Sequence, residues 1–205
     1  MSEPYRKRMD LISKEIDGVV LDVGCCSGPL HKLLKSLRPD CRIYGIDAKI
    51  KDAYKGEKGI VQGDAQNMKM FPPGKFDTVV AGEIIEHLPF PEKFVAEASR
   101  VLKSGGKLIL TTNNKGALIN RLLHNYEAES TTHVHVFARK ELFDLLERNG
   151  FRIEKTVMLP YVSSRMAVTD PFRIILHYVL PDSLRENFFI LAVKTRERFH
   201  DTEKS

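Results

Sequence analysis

Short apolar runs alternate along the chain with segments whose apolar residues recur every three or four positions. The runs VVLDVG, RIYGIDA, GIVQGDA and FDTVVAGE are rich in β-branched residues, which is typical of buried parallel strands. KLILTTN, FRIEKTVML and FFILAVKT predict three further strands. The periodic segments predict helices, one ending near Ile16 and the others in PLHKLLKSL, PEKFVAEASRVL and RKELFDLLERNG.

This alternation of strands and helices favours an α/β fold. We predict a three-layer, doubly wound sandwich around a mostly parallel seven-stranded sheet. No clear crossover helix separates the last two predicted strands, so one antiparallel strand is expected near the C-terminus. Sheets of this kind bind ligands at the carboxyl ends of their strands, near the point where strand order reverses.

The length of 205 residues suits one domain, spanning 1–205. Two long segments, at about 113–136 and 160–187, interrupt the regular alternation. Insertions of this length in a compact domain are usually lids or binding loops. We therefore predict lid-like insertions at both places, the second either covering an apolar ligand or contacting a membrane surface.

Composition narrows the class of protein only a little. No run of 18 apolar residues predicts a transmembrane helix, and the charged N-terminus lacks the apolar stretch of a signal peptide. Three cysteines without Cys-x-x-Cys spacing predict neither a zinc nor a disulfide framework, so a cytoplasmic protein is expected. The net charge of +5 is spread along the chain, which makes nucleic acid a less favoured partner than a small molecule.

The stretch VLDVGCCSGPL joins the first predicted strand to a helix, so GCCSG forms a turn at the carboxyl edge of the sheet. Gly24 and Gly28 allow the backbone to approach a ligand closely, because neither carries a Cβ atom. The dinucleotide pattern G-x-G-x-x-G would need glycines where this chain has Cys26 and Pro29. The spacing therefore disfavours a NAD-dependent dehydrogenase.

VLDVGCCSG resembles motif I of the class I methyltransferases that use S-adenosylmethionine (SAM), with Cys26 in place of the middle glycine. IYGIDA, VQGDAQNM, FDTVVAGEIIEHL and ASRVLKSGGKLILTTNN resemble the later motifs of that family, in the same order. The resemblance spans about residues 19–154. It implies a SAM-dependent methyltransferase that transfers a methyl group, most readily to oxygen, on a small or lipid-like metabolite.

The resemblance also implies the cofactor contacts. Asp47 would accept hydrogen bonds from both ribose hydroxyls, Asp64 would face the adenine amine, and Ala65 would offer a backbone N–H. Taken singly, each of these two acids has an alternative role as a turn or helix-capping residue. The implied cofactor-binding residues are Asp22, Gly24, Cys25, Cys26, Gly28, Asp47, Ala48, Asp64, Ala65, Gly82 and Glu83. Within this set the two cysteines are expected to act as small loop residues.

Methyl transfer to a hydroxyl group needs a base, and the candidates follow the fourth predicted strand. A helical turn in GEIIEHL would place Glu83, Glu86 and His87 on one face. His133 and His135 in THVHVF would point the same way along an extended segment. We predict Glu83, His87 and His135 as catalytic residues.

Two alternatives remain open on the same residues. Glu-x-x-Glu-His followed by a distant His resembles the metal site of small-RNA 3′-end ribose methyltransferases, and some quinone-biosynthesis O-methyltransferases have a similar segment. Mg²⁺ or Mn²⁺ there would lower the pKa of an acceptor hydroxyl. The pattern is also widespread in metal-free relatives, so no metal ligand is predicted. The second alternative, a binding protein that keeps the fold without catalysis, is opposed by the intact acids Asp22, Asp47 and Asp64.

Overall fold

The computed structural model describes residues 3–114, 134–159 and 187–195. Helices and strands alternate through most of these ranges, as the hydrophobic pattern predicts. The helices are α1 (Glu3–Glu15), α2 (Leu30–Leu37), α3 (Pro91–Val101) and α4 (Arg139–Arg148). The strands are β1 (Val19–Val23), β2 (Arg42–Asp47), β3 (Ile60–Gln62), β4 (Phe76–Gly82), β5 (Leu102–Asn113), β6 (Phe151–Leu159) and β7 (Asn187–Lys194). Short 3-10 helices lie at Asp52–Tyr54 and Ile85–His87.

The seven strands form one sheet in the order β3-β2-β1-β4-β5-β7-β6. Neighbouring strands from β3 to β5 run parallel, whereas β7 pairs antiparallel with both β5 and β6. The predicted α/β sandwich with one antiparallel strand near the C-terminus is therefore confirmed. Strand order reverses between β1 and β4, which marks the sheet position where ligands bind in such folds.

Successive residues of the central strands contact opposite layers, because side chains alternate across a sheet. Val20 of β1 packs in one apolar cluster with Met9 and Ile12 of α1 and with Leu34 of α2. The next residue, Leu21, belongs to the cluster on the opposite face. The helical members of that second cluster include Phe94, Val95, Ala98, Leu142 and Leu146. Helices thus cover both faces of the sheet, which gives three layers.

Strand β5 is longer than the predicted run KLILTTN, which begins at Lys107. It starts directly after α3, with Leu102 paired to Phe76, and the register shifts before Lys107 pairs with Thr78. Gly105 lies in this irregular stretch with a φ of 76°, a left-handed conformation that favours glycine. The early start of β5 therefore depends on its pairing with β4. The hydrophobic pattern within β5 carries no information about that pairing.

The predicted insertions at about 113–136 and 160–187 lie largely outside the described residues, as does His133. Across the described ranges, no helix combines the length and apolar character needed to span a membrane.

Candidate active site

Four strand ends bring the predicted cofactor residues to one edge of the sheet. Asp47 is the last residue of β2, Gly24 follows β1, Gly82 is the last residue of β4, and Asp64 follows β3 by two residues. Because β2 and β4 flank β1, the glycine turn lies between Asp47 and Gly82. The sequence prediction of a shared edge thus agrees with the fold.

Backbone hydrogen bonds anchor the glycine turn to β2. The N–H groups of Gly24 and Cys25 both donate to the Ile46 carbonyl, at 2.8 and 3.3 Å. Gly24 has a φ of 77°, and a Cβ atom there would lie 3.2 Å from Cδ1 of Ile84. A Cβ atom on Gly28, by contrast, would have no heavy atom within 4 Å. The turn is therefore packed at its first glycine and open at its last.

The Asp47 carboxylate is held at the end of β2 by two backbone donors. Its Oδ2 accepts a hydrogen bond from the N–H of Cys26 at 2.9 Å, and its Oδ1 accepts one from Lys49 at 3.0 Å. A carboxylate oxygen can accept more than one hydrogen bond, so each can still receive a ribose hydroxyl. The neighbouring Ala48 is exposed.

Asp64 makes the local turn contacts that were its alternative role. Its Oδ1 accepts hydrogen bonds from the backbone N–H of Gln66 at 2.8 Å and from the Gln66 side chain at 3.0 Å. The Asp64 residue is exposed, while Ala65 is buried. The adenine contact assigned to this pair stays a prediction.

Asp22 is buried in β1 and contacts a histidine that sequence reasoning missed. Its Oδ2 lies 3.2 Å from Nδ1 of His31 in α2, and both residues are buried. Burial raises the pKa of Asp22, and the His31 contact partly opposes that rise. On its other side, His31 Nε2 lies 3.8 Å from Glu57 Oε1. Asp22 therefore ties the start of α2 to β1, beneath the glycine turn.

The adjacent cysteines are free thiols in the buried part of the turn. Burial and the nearby charge of Asp22 raise the pKa of the Cys25 thiol, so it stays protonated and is a poor nucleophile. The sulfurs of Cys25 and Cys26 lie 3.6 Å apart. Together with the Asp47 carboxylate they place three metal-capable ligand atoms within 4.8 Å of one another. Local sequence spacing gives no signal of this proximity, because Asp47 lies more than twenty positions from the two cysteines.

Glu83 leaves β4 and contacts the N-terminal helix. Its N–H donates to the Thr111 carbonyl at 2.8 Å, and its φ is 56°. The Glu83 carboxylate forms an ion pair with Arg8 of α1, whose guanidinium also lies 5.0 Å from the centre of the Tyr5 ring. The charged N-terminal segment gave no signal that Arg8, among its several basic residues, would reach the site.

Glu86 is buried in the short helix Ile85–His87, which begins two residues after Glu83. Neither oxygen of its carboxylate has a hydrogen-bond partner among the described residues. Burial raises the pKa of Glu86 to about 7, and the charge of Glu83 adds to that rise. The two glutamates of GEIIEHL therefore differ sharply, since one is ion-paired near the surface and the other is buried.

The structure brings His135 to this same turn, although 48 positions separate it from His87 in the chain. The N–H of His135 donates to the Glu86 carbonyl at 3.0 Å, and the His135 Nε2 lies 3.2 Å from the Pro89 carbonyl. A carbonyl only accepts, so Nε2 carries the hydrogen and Nδ1 is left as the proton acceptor. His87 is half-buried within the turn. Two of the three predicted catalytic residues therefore share one backbone framework.

The metal alternative can be compared with this geometry. Glu83, Glu86, His87 and His135 lie on one turn and the segment that packs on it. In the part of the chain that the structure describes, however, the group with three close metal-capable ligand atoms is Cys25, Cys26 and Asp47. The pairing of Glu83 with Arg8 also satisfies that carboxylate without an ion.

The chain is similar in sequence to known O-methyltransferases. The ubiquinone biosynthesis O-methyltransferase of Xanthomonas oryzae pv. oryzae is 29% identical over 124 residues, covering 53% of this chain and 49% of the relative. The enzyme of the same name from Proteus mirabilis is 25% identical over 188 residues, covering 82% of this chain and 74% of the relative. The chain thus spans about half the length of the first of these relatives.

A solved structure shows the same fold. The SAM-dependent methyltransferase from Archaeoglobus fulgidus superposes with a TM-score of 0.67 at 22% identity, covering 93% of this chain and 92% of that one. A family model described as a methyltransferase domain matches residues 1–156, well over half of the chain. The chain therefore belongs to the methyltransferase-domain family, of the class I kind whose methyl donor is SAM.

Proposed function

We propose that this protein is a SAM-dependent O-methyltransferase acting on a hydroxyl group of a small or lipid-like molecule. The observation that carries the proposal is the Asp47 carboxylate, fixed by the Cys26 N–H at 2.9 Å beside a turn that is open at Gly28. An acid oriented in advance at a strand end is suited to a ribose. The relatives named for ubiquinone biosynthesis support oxygen as the methylated atom.

SAM would supply an activated methyl group, and the chain would bind and orient it. On this proposal Asp47 holds the ribose, Asp64 and Ala65 face the adenine, and Gly82 and Glu83 border the methyl-bearing end. The protein then has to align the acceptor with that methyl group and exclude water. The predicted insertions at about 113–136 and 160–187 are proposed as the acceptor-covering part.

The acceptor hydroxyl needs a proton acceptor at the end of β4. His135 is our first candidate, because its Nε2–H is bound to the Pro89 carbonyl and its Nδ1 is left to accept a proton. His87 lies in the same turn and is the second candidate. The Glu83 carboxylate is held by the Arg8 guanidinium, so we assign it to orienting the site.

Calorimetry with SAM and with NAD⁺ tests the cofactor part of the proposal. We expect SAM to bind at micromolar concentration and NAD⁺ to show no binding. Asp47→Ala should remove SAM binding, whereas Asp144→Ala on the far helix α4, whose side chain pairs with Lys140, should leave it unchanged. Absence of SAM binding by the folded wild-type protein would refute the enzymatic proposal and support the non-catalytic alternative.

Turnover with a panel of hydroxyl-bearing acceptors, from catechol to alkylated phenols, tests the acceptor part. We expect methylation that survives treatment with EDTA, and a loss of about 10²-fold or more in His135→Gln. The variant Asn149→Gln, on the end of α4, serves as the control for a polar change away from the site. Turnover that EDTA abolishes and Mg²⁺ restores would instead support the metal-assisted alternative, with RNA as the next acceptor to assay.

A further inference from the structure

The glycine turn (residues 24–28) and the neighbouring end of β2 contain a set of metal-binding groups that methyl transfer does not use. The thiols of Cys25 and Cys26 and the carboxylate of Asp47 each offer one ligand atom, and these atoms all lie within 4.8 Å of one another. The sulfur–sulfur distance is 3.6 Å, which leaves the two thiols unbonded but adjacent. Two sulfurs and one carboxylate oxygen are a donor set typical of zinc-like ions.

The backbone holds these three groups together. Gly24 and Cys25 both donate to the Ile46 carbonyl, and Cys26 donates directly to the Asp47 carboxylate at 2.9 Å. Gly45 of β2 makes the necessary room, because a Cβ atom there would lie 2.6 Å from the Cys25 sulfur. The approach of the Cys25–Cys26 backbone to Asp47 is therefore a consequence of the fold.

The surroundings favour a dehydrated, thiophilic cation. Tyr54 is buried with the two cysteines in one small apolar cluster, against which Ile50 and Ile60 pack. The buried Asp22 carboxylate adds negative charge close to Cys25, and its Oδ1 has no hydrogen-bond partner among the described residues. Asp47 is only half-buried, so the group is accessible from the side where a ligand would enter.

We propose that Cys25, Cys26 and Asp47 form a binding site for a thiophilic divalent cation of the zinc class, and that this cation and SAM exclude each other. The ion would take two thiolates, one carboxylate oxygen and one solvent ligand, which completes a tetrahedron. Each thiol that binds gives up its proton to solvent, so two protons are released for every ion bound. Exclusion follows because the Asp47 oxygen that binds the ion can no longer accept a ribose hydroxyl, so Asp47 cannot hold both hydroxyls of the ribose; this part rests on the proposed function.

Cobalt and zinc titrations of the reduced protein test the site directly. Co²⁺ bound to thiolate gives a sulfur-to-metal charge-transfer absorption, and we expect this band to saturate at one equivalent. Cys26→Ala and, as a milder change, Asp47→Asn should each weaken Co²⁺ binding by at least about tenfold. Cys41→Ser is the matched control, because Cys41 lies at the other end of β2, just before its first residue, and should leave the titration unchanged.

Competition is then measured by titrating SAM in the presence of saturating Zn²⁺. We expect the apparent Kd for SAM to rise at least about tenfold, and Zn²⁺ affinity to fall by the same factor when SAM is present, since coupling is reciprocal. No charge-transfer band, or a band that persists in Cys26→Ala, would overturn the site. SAM and Zn²⁺ binding together without interference would overturn the exclusion. Failure of SAM to bind the metal-free protein would instead count against the proposed function and leave the cobalt result standing.

Discussion

The burial of Glu86 has a measurable consequence for stability. The folded protein raises the pKa of this carboxyl to about 7, whereas the unfolded chain returns it to its ordinary value near 4.5. Between these two values the folded state holds a proton that the unfolded state has released. The contribution of Glu86 to the free energy of unfolding is therefore fully present below pH about 4.5. This contribution declines as the pH rises toward 7, by about 3 kcal/mol at most.

Glu86→Gln keeps the shape of the protonated side chain and removes its charge. We expect the variant to match the wild type in thermal unfolding at pH 5 and to unfold at a higher temperature at pH 8. Glu147→Gln, on the exposed part of α4, is the control and should shift neither curve by more than a few tenths of a kcal/mol. Equal curves for Glu86→Gln and wild type at pH 8 would mean that Glu86 is solvated in the folded protein.

Residues differed in how far the sequence could predict them. The strand-end positions of Asp47 and Gly24 were predicted because each lies at the end of an apolar run that is recognisable by itself, whereas their cofactor roles were implied by the family resemblance. Glu83 and Glu86 are equivalent in the sequence, three positions apart. Contacts from distant parts of the chain distinguish them: Arg8 pairs with the Glu83 carboxylate, and the N–H of His135 donates to the Glu86 carbonyl.

An ion pair joins helix α1 to the end of strand β4. Arg8 is largely buried and pairs with the half-buried Glu83, so the helix is tied to the edge where the acceptor is proposed to bind. Partly buried pairs lie between the surface case, worth less than about 1 kcal/mol, and the buried case, where loss of one partner costs about 3–5 kcal/mol. We expect each single change, Arg8→Gln or Glu83→Gln, to cost about 1–2 kcal/mol.

A double-mutant cycle on Arg8 and Glu83 separates the pair from its surroundings. The double variant should be destabilised by less than the sum of the two single changes, leaving a coupling of about 1 kcal/mol. The exposed pair of Lys14 and Asp10 on the same helix is the matched control and should show coupling near zero. Additive effects for Arg8 and Glu83 would show that the helix is held by its apolar face alone.

The hydrophobic pattern predicted most of the described helices and strands. Strands β1, β2 and β4 were predicted because apolar, β-branched runs are bounded by glycine or polar residues. Helix α4 was predicted because its periodic segment stops at Gly150, whose φ of 79° in the structure suits a helix terminus. The start of β5 was not, since its first residue is set by pairing with Phe76. Local pattern thus indicates which elements exist, and pairing partners set their ends.

At the scale of the molecule, the sheet order decides which residues meet. The alternating pattern predicted a doubly wound sheet, and the order β3-β2-β1-β4-β5 places the glycine turn at the reversal between β1 and β4. The two cysteines and Asp47 meet for the same reason, because β1 and β2 are parallel neighbours. Sequence motifs gave each residue a position along the chain, while the distances between them required the assembled sheet.

The same order predicts how amide hydrogen exchange varies across the molecule. Strands β1 and β4 have neighbours on both sides and fully buried residues, so their amides should exchange slowest. Strand β3 has three residues and lies at one edge, and β6 lies at the other edge, so both should exchange through local opening. Adding SAM should slow exchange in residues 24–28 and 47–49, because bound ligand opposes the openings that expose them.

The β6 edge is the internal control for this measurement, since it lies at the opposite end of the sheet from β2 and opens locally. Amide exchange in β6 should be unchanged by SAM. Asp47→Ala should abolish the protection that SAM adds at the glycine turn. At a SAM concentration about 100 times its Kd, the added protection corresponds to about 2.7 kcal/mol. Equal added protection at β6 and at the glycine turn would mean that SAM slows exchange by stabilising the whole fold and not by covering the turn. Protection confined to β4 and β5 would show that SAM binds away from Asp47. That result would contradict both the proposed SAM site and the proposed exclusion of SAM by a cation.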